Sequence, residues 1–274
     1  PYQEALDGAG ISRFVASTWR KLSEIPDKYF EEYLADPKHL WTEFTIKGMF
    51  DFVRPFFKAQ ASKAQAKLAE KFDAQEYNGF KVNDVYIADV NTIDFPENSV
   101  DMIFTDPPYH DEYLDLYRAL TDFADRTLKP GAYIMAYCGK MFMPDVMRMM
   151  GEKLEYVWTF GVFQPDNNTK VMKHHLFEAW RPIVCYKKPG KTVTRNWQPD
   201  MIKGTRDKSF HEWQQQIEPP LKYIEAYTLP GELVVDPFVG GGTTVKACQI
   251  LTRNYIGFDK DVNAVKLTKL RLSE

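Results

Sequence analysis

The chain has 274 residues, 44% of them hydrophobic and 15% aromatic, which suits one sizeable core with an accessory segment and argues against a disordered chain. A net charge of −3 excludes a surface that is basic throughout, though a local basic patch is compatible with it. No apolar run approaches the roughly 18–20 residues of a membrane span. Cys138, Cys185 and Cys248 are scattered without a C-x-x-C pair, against a disulfide framework or a zinc site and in favour of a reducing, cytoplasmic setting. The opening PYQEALDGAG shows neither an initiator Met nor a signal-peptide pattern, as in a processed or truncated chain.

Residues 11–72 read as helical. ISRFVASTWRKL, DKYFEEYLAD and FFKAQASKAQAKLAEKF carry apolar positions at three- and four-residue spacing, punctuated by Pro26, Pro37 and Pro55. From residue 80 the texture changes. Short apolar runs at 81–90, 100–105, 132–138, 155–163, 181–188, 233–236 and 254–259 predict strands, and helices are expected at 113–128, 142–152, 219–228 and 243–252. Strands alternating with helices predict an α/β fold, a mainly parallel, doubly wound sheet covered on both faces.

Two strand ends carry unusual residues. VDMIFT runs into Asp106, Pro107, Pro108 and Tyr109. Successive prolines have no N–H for a ladder and hold φ near −65°, so the strand must stop in a stiff turn beside one acid and one ring. A strand-ending turn without chemistry is the competing reading. The other stretch is LVVDPFVGGGTTVKACQILTRNYIGFDKD, residues 233–261. One strand ends at Asp236, Gly240, Gly241 and Gly242 open a helix at Thr243 and Thr244, and the next strand ends at Asp259. In a doubly wound sheet such a turn lets a ligand approach the backbone at a helix N-terminus, and an acid about 20 residues on suits two ribose hydroxyls. The unit therefore reads as a holder of an adenosine-containing cofactor. It lacks the third spaced Gly of a dinucleotide fingerprint and the Lys of a phosphate-binding P-loop.

Together, DPPY upstream and DPFVGGGTT…YIGFD downstream resemble the S-adenosylmethionine-dependent DNA amino-methyltransferases, in the motif order of their permuted β class. The resemblance covers residues 80–274. It implies the methyltransferase (Rossmann-like) sheet over 77–274, after a helical segment at 1–76. It places Asp236, Phe238, Gly240, Gly242, Thr243 and Thr244 around S-adenosyl-L-methionine, with Asp259 on its ribose and Asp89 near its adenine. Ala88 stands where the family has Gly before that Asp, and in HEWQQQIEPP Gln215 replaces a usual Lys after His211.

The same resemblance gives the DPPY turn its chemistry. An exocyclic amine is a poor nucleophile because its lone pair is delocalised into the ring. The Asp106 carboxylate and the carbonyl of Pro107, held rigidly by Pro108, would accept its N–H groups and free that lone pair. Tyr109 would stack on the target base after flipping from the duplex. The implied function is site-specific methylation of adenine N6 in double-stranded DNA, since D-P-P-Y leans toward adenine and S-P-P-Y toward cytosine N4. Cytosine-N4 transfer, a non-catalytic DNA- or cofactor-binding subunit, and methylation of RNA or a protein glutamine are the alternatives. A homodimer is left open; no membrane or metal is expected.

Other features read as structural. Cys138 lacks a Pro-Cys context for covalent cytosine-C5 chemistry and is expected to be a core cysteine. KHH at 173–175 suits a polar loop better than a metal pair. The run at 110–128 reads as an amphipathic helix with apolar residues at 114, 117, 120 and 123. Residues 165–210 hold ten cations against four acids, a local excess fit for phosphate contacts. A target-recognition insertion is expected at about 164–212, with Lys170, Lys173, Lys203 and Arg206 on DNA.

Overall fold

The structure is a computed structural model that describes residues 25–35, 52, 76–109, 111–164, 169–191, 198–204 and 216–273. The chain divides into two units, Pro1–Ala66 and Lys67–Glu274. In the first, helix α1 (Asp27–Ala35) lies where the DKYFEEYLAD spacing predicts it, and Tyr33 packs on Phe52 with ring centres 5.4 Å apart. The other helices expected over 11–72 lie outside the described residues.

The second unit carries β1 (Glu76–Tyr77), β2 (Phe80–Lys81), β3 (Asp84–Ile87), β4 (Val100–Thr105), α2 (Leu114–Thr127), β5 (Leu128–Tyr137), α3 (Met143–Met150) and β6 (Glu155–Phe163). There follow β7 (Thr169–Val171), β8 (Leu176–Glu178), β9 (Trp180–Lys187), β10 (Met201–Lys203), α4 (Glu218–Tyr227), β11 (Leu233–Asp236), α5 (Thr243–Leu251), β12 (Asn254–Asp259) and α6 (Val262–Ser273). Eight strands form one sheet in the order β10-β6-β9-β5-β4-β11-β12-β3. All run parallel except β9, which opposes β5 and β6.

The sheet is mixed because β6 is joined to β9 through a ribbon with no α-helix among the described residues, and a short connection returns the chain antiparallel. From β4 to β5, β5 to β6, β10 to β11 and β11 to β12 a helix crosses over and the next strand comes back parallel. On β4, Val100 and Ile103 face one core with α2 and α3, while Met102 and Phe104 face the other with α4, α5 and α6. Burial on both sides is why VDMIFT is nearly continuous in apolar residues. The expected strand at 81–90 is instead two pieces. Asn83, at φ 63°, turns the chain between β2 and β3, and the ladder ends at Ile87.

This order places the switch in winding direction between β4 and β11. From β4 the chain moves to β5 on one side, and from β11 to β12 on the other. In open α/β sheets the crevice at the carboxyl ends of such a strand pair is where ligands bind. Asp106–Tyr109 leave one of these two strands and the Gly-rich turn leaves the other.

Candidate active site

Thr105, the last residue of β4, is fully buried and its hydroxyl donates to Asp236 Oδ1 at 2.6 Å. Asp236, the last residue of β11, also accepts the backbone N–H of Phe238 at 3.1 Å and a hydrogen bond from Thr244. The two strand ends are thus stitched through one carboxyl group. Burial pushes the Asp236 carboxyl up to about 7, against the pull of these donors, and the charge of Asp106 adds to the rise.

Beyond β4, Asp106 is half-buried, Pro107 buried and Pro108 exposed. The Tyr109 hydroxyl donates to Asp106 Oδ1. Burial, then the Asp106 charge, lifts the Tyr109 phenol well above its ordinary range, so it stays protonated as the donor. The field of Asp106 reaches further. After burial, it raises Tyr137 and Cys138, whose thiol is pushed up to about 12, and after burial and Cys138 it raises Tyr117. Cys138 is a buried thiol, as the sequence suggests, and is not poised as a nucleophile. Arg181, at the start of β9, sets a positive charge within reach of Tyr109 and Tyr137. The sequence counts Arg181 only as one cation among ten; the antiparallel β9 brings it to this end of the sheet.

The glycine turn is built for close approach. Gly240 and Gly242 take φ of 46° and 76°, which L side chains rarely adopt. A Cβ on Gly242 would lie 2.6 Å from Thr268 Cγ2, whereas one on Gly241 would meet nothing within 4 Å. The turn is therefore fixed from below and open on its other side. The fixing comes from α6, a helix with no counterpart among those expected from the sequence. Thr268 donates to the Gly240 carbonyl at 2.8 Å, and Arg271 donates to the Gly241 carbonyl at 2.7 Å and to Thr243 Oγ1 at 3.1 Å. Asp259, at the tip of β12, accepts the N–H of Gly240 at 3.0 Å and of Asp261 at 2.9 Å. Each carboxylate oxygen keeps lone-pair capacity for a further donor.

Asp89 follows β3, whose neighbour is β12, and Ala88 N–H donates to the Asp259 carbonyl at 3.1 Å. Its carboxylate accepts the backbone and side-chain N–H groups of Asn91 at 2.9 and 2.6 Å, which lowers it below the usual range. It thus shapes a turn at the same sheet end as Asp259.

The basic residues are more spread. Lys170 is exposed on β7 and Lys203 ends β10, both at the carboxyl-end side of β6. Lys173 lies in a 3₁₀ turn, Met172–His174, which takes the place of the expected polar loop. Arg206, His211 and Gln215 lie outside the described residues. Among the described residues no cluster of three or more His, Cys, Asp or Glu could hold a metal ion, and no helix is long and apolar enough to cross a membrane.

A doubly wound sheet with an acid-Pro-Pro-Tyr turn beside a glycine turn at its switch point defines the class. The chain matches the DNA methylase family over residues 100–270 and belongs to it, a family of N6-adenine and N4-cytosine amino-methyltransferases. It is similar to the Type II methyltransferase M2.MboI of Moraxella bovis, 36% identical over 227 residues, covering 66% of this chain and 83% of that one. It is also similar to M.HpaI of Haemophilus parainfluenzae, 24% identical over 64% of this chain and 69% of that one. Of M.BamHI of Bacillus amyloliquefaciens, 24% identical, it spans 51%. Among solved structures, the M1.HpyAVI–SAM complex shares the fold at TM-score 0.56 and 22% identity, over 70% of this chain and 99% of that chain. The PvuII cytosine-N4-specific DNA methyltransferase shares it at TM-score 0.60 and 18% identity, over 68% and 85%.

Proposed function

We propose that this chain transfers a methyl group from S-adenosyl-L-methionine to the exocyclic N6 amine of adenine in double-stranded DNA, with the base flipped out of the helix. The observation that carries the reading is the Asp106–Tyr109 turn at the end of β4, tied through Thr105 and Asp236 to the glycine turn. The cofactor supplies an electrophilic methyl on a sulfonium; the protein supplies position and field. The open side of Gly240–Gly242, with Asp236, Phe238, Thr243 and Thr244 beneath it and Asp259 and Asp89 beyond, fits an adenosine-bearing ligand.

In this reading Asp106 accepts one N–H of the target amine and the Pro107 carbonyl accepts the other. Tyr109 holds the carboxylate in place through its hydroxyl and offers a ring face to the base. As the amine becomes cationic, the negative field of Asp106, strong in this half-buried crevice, stabilises the developing charge. Asp106 is then placed to take the proton the product amine sheds.

The test is chemical. Incubated with unmethylated duplex DNA and labelled cofactor, the protein should yield N6-methyldeoxyadenosine on digestion to nucleosides, identified by mass. N4-methyldeoxycytidine would reassign the base, and no modified nucleoside at all would overturn the activity. The Type II relatives suggest restriction–modification in the cytoplasm as the setting, with DNA recognised by the segment at about 164–212 of a methyltransferase domain that we place at 77–274.

Two further results are expected. Asp259→Ala should weaken binding of S-adenosylhomocysteine by about 1.5–3 kcal/mol, as for hydrogen bonds to a charged group. Calorimetry with that ligand and with NAD decides the point, and preferential NAD binding would reject the cofactor site. Replacing Lys170, Lys173, Lys203 and Arg206 with Ala should flatten the salt dependence of DNA binding by roughly 0.9 per lost phosphate contact. An unchanged slope would move phosphate contacts elsewhere in the chain.

A further inference from the structure

Strands β7 and β8 form a two-stranded ribbon that pairs with no other strand among the described residues. Lys170 opposes Phe177, Val171 opposes Leu176 and Thr169 opposes Glu178. Successive residues on a strand point to opposite faces, so Leu176 and Phe177 lie on different sides. Both are nevertheless exposed, by 59% and 67%, and Met172 at the turn is exposed by 72%. A ribbon with apolar side chains out on both faces has no core of its own and is marginal in water. Three such exposed side chains within residues 172–177 mark a surface that is covered in use.

Charge indicates the cover. Residues 169–177 contain Lys170 and Lys173 and no acid. Glu178, at the ribbon's base, is neutralised by Lys140 at 3.0 Å. The Lys170 ammonium lies 6.0 Å from the centre of the Phe177 ring, so a cation and an apolar ring share one face. That combination suits a polyanion with stacked flat bases.

Position ties the ribbon to the DPPY turn. Gln164 N–H donates to the Ala179 carbonyl at 2.7 Å, closing the ribbon where β6 ends and β9 begins. Lys140, which holds Glu178, also lies 5.3 Å over Trp180. It follows Gly139, where an added Cβ would be 3.1 Å from Tyr109 Cβ. The ribbon therefore rises from the same sheet end as the residues proposed to hold the flipped base.

Resting on the DNA-methylation reading above, we propose that this ribbon is the wedge that enters the duplex at the target nucleotide. Phe177, Leu176 and Met172 fill the gap that the extruded base leaves, and Lys170 neutralises a neighbouring phosphate. Flipping destroys stacking on both sides of the target, and apolar side chains inserted there offset part of that loss.

The test compares Phe177→Ala and the double variant Met172→Ala/Leu176→Ala with the unsubstituted protein. All three positions are exposed, so the fold should be unaffected. The substrates are a duplex bearing the mapped methylation site and the same duplex with an abasic nucleotide opposite the target, where the base is already unpaired. On the intact duplex kcat/KM should fall about a hundredfold, while on the abasic duplex it stays within about threefold, because the flipping cost is largely removed there. S-adenosylhomocysteine affinity should not change. Equal losses on both duplexes, or no loss on either, overturn the wedge. Equal losses accompanied by a shift from dimer to monomer in sedimentation would assign the ribbon to a contact between copies of the chain, and also overturn it. If the unsubstituted protein methylates no DNA, the activity itself fails and the wedge falls with it.

Discussion

Asp106→Ala should lower kcat by about three to four orders of magnitude while S-adenosylhomocysteine affinity stays within about tenfold. The asymmetry follows from where the carboxylate sits. It belongs to the turn after β4, and the residue that contacts the β11 end is its neighbour Thr105, through Asp236. Removing Asp106 leaves that stitch and the glycine turn intact. What is lost is an acceptor fixed by Tyr109 and a negative field that adds to burial in raising Tyr117, Tyr137, Cys138 and Asp236. Asp106→Asn separates the two contributions. It keeps an oxygen for one N–H and for the Tyr109 hydroxyl but removes the charge, so its rate should fall between those of wild type and Ala. Single-turnover rates with saturating DNA, paired with calorimetric affinities, read both quantities. Near-normal turnover by the Ala variant on duplex DNA would reject the clamp.

Much of this was legible in the residues because the strands that build the site are buried on both faces. VDMIFT, LVVD and NYIGFD are short, apolar and bounded by turn formers, and their observed limits match the expected ones. Helix α2, within the run at 110–128, shows its buried stripe through Tyr117, Leu120 and Phe123. Legibility failed where long-range pairing decides. Met201–Lys203 becomes a strand only by lying beside β6, and three residues with one buried side chain carry no period to detect. The ribbon at 169–178 is similar, since its strands pair with each other and its apolar residues are outside. Helix α6 escaped because only Val265 and Thr268 of its residues are buried, too few for a clear stripe. Its site contribution was hidden for a second reason: Thr268 and Arg271 reach the glycine turn through space, 28 and 30 residues along the chain. Arg253 gives the same lesson in the fold. A buried guanidinium that donates to Thr228 Oγ1 and to the carbonyls of Leu251 and Thr228 reads in sequence as an ordinary surface cation.

Asp236 should make the protein's stability depend on pH in the unusual direction for a carboxyl. Its folded pKa, about 7, stands above the 3.8 of the free side chain, with burial as the main cause. Between these values the folded state holds a proton that the unfolded state has released. The contribution to stability is therefore fully present below about pH 4 and is lost as pH rises through about 7. At the limit the loss is about 4 kcal/mol, taking 1.36 kcal/mol per pKa unit. Asp236→Asn has no such proton, and its amide can still meet Thr105 and Thr244. Urea unfolding should find the two proteins within about 1 kcal/mol at pH 4, and the variant more stable by about 2–4 kcal/mol at pH 8. Equal stabilities at both pH values would mean that Asp236 is ionised in the fold throughout. In the proposed cofactor site, the ionised residue would answer a cationic ligand. S-adenosylmethionine carries a net positive charge, and a ligand that favours the ionised carboxylate gains affinity as the proton is lost. Its affinity for the wild type should therefore rise from pH 6 to pH 8, by up to about tenfold for one proton over a pKa near 7. The affinity of Asp236→Asn should be lower and flat across the same range, which calorimetry at the two pH values reads directly.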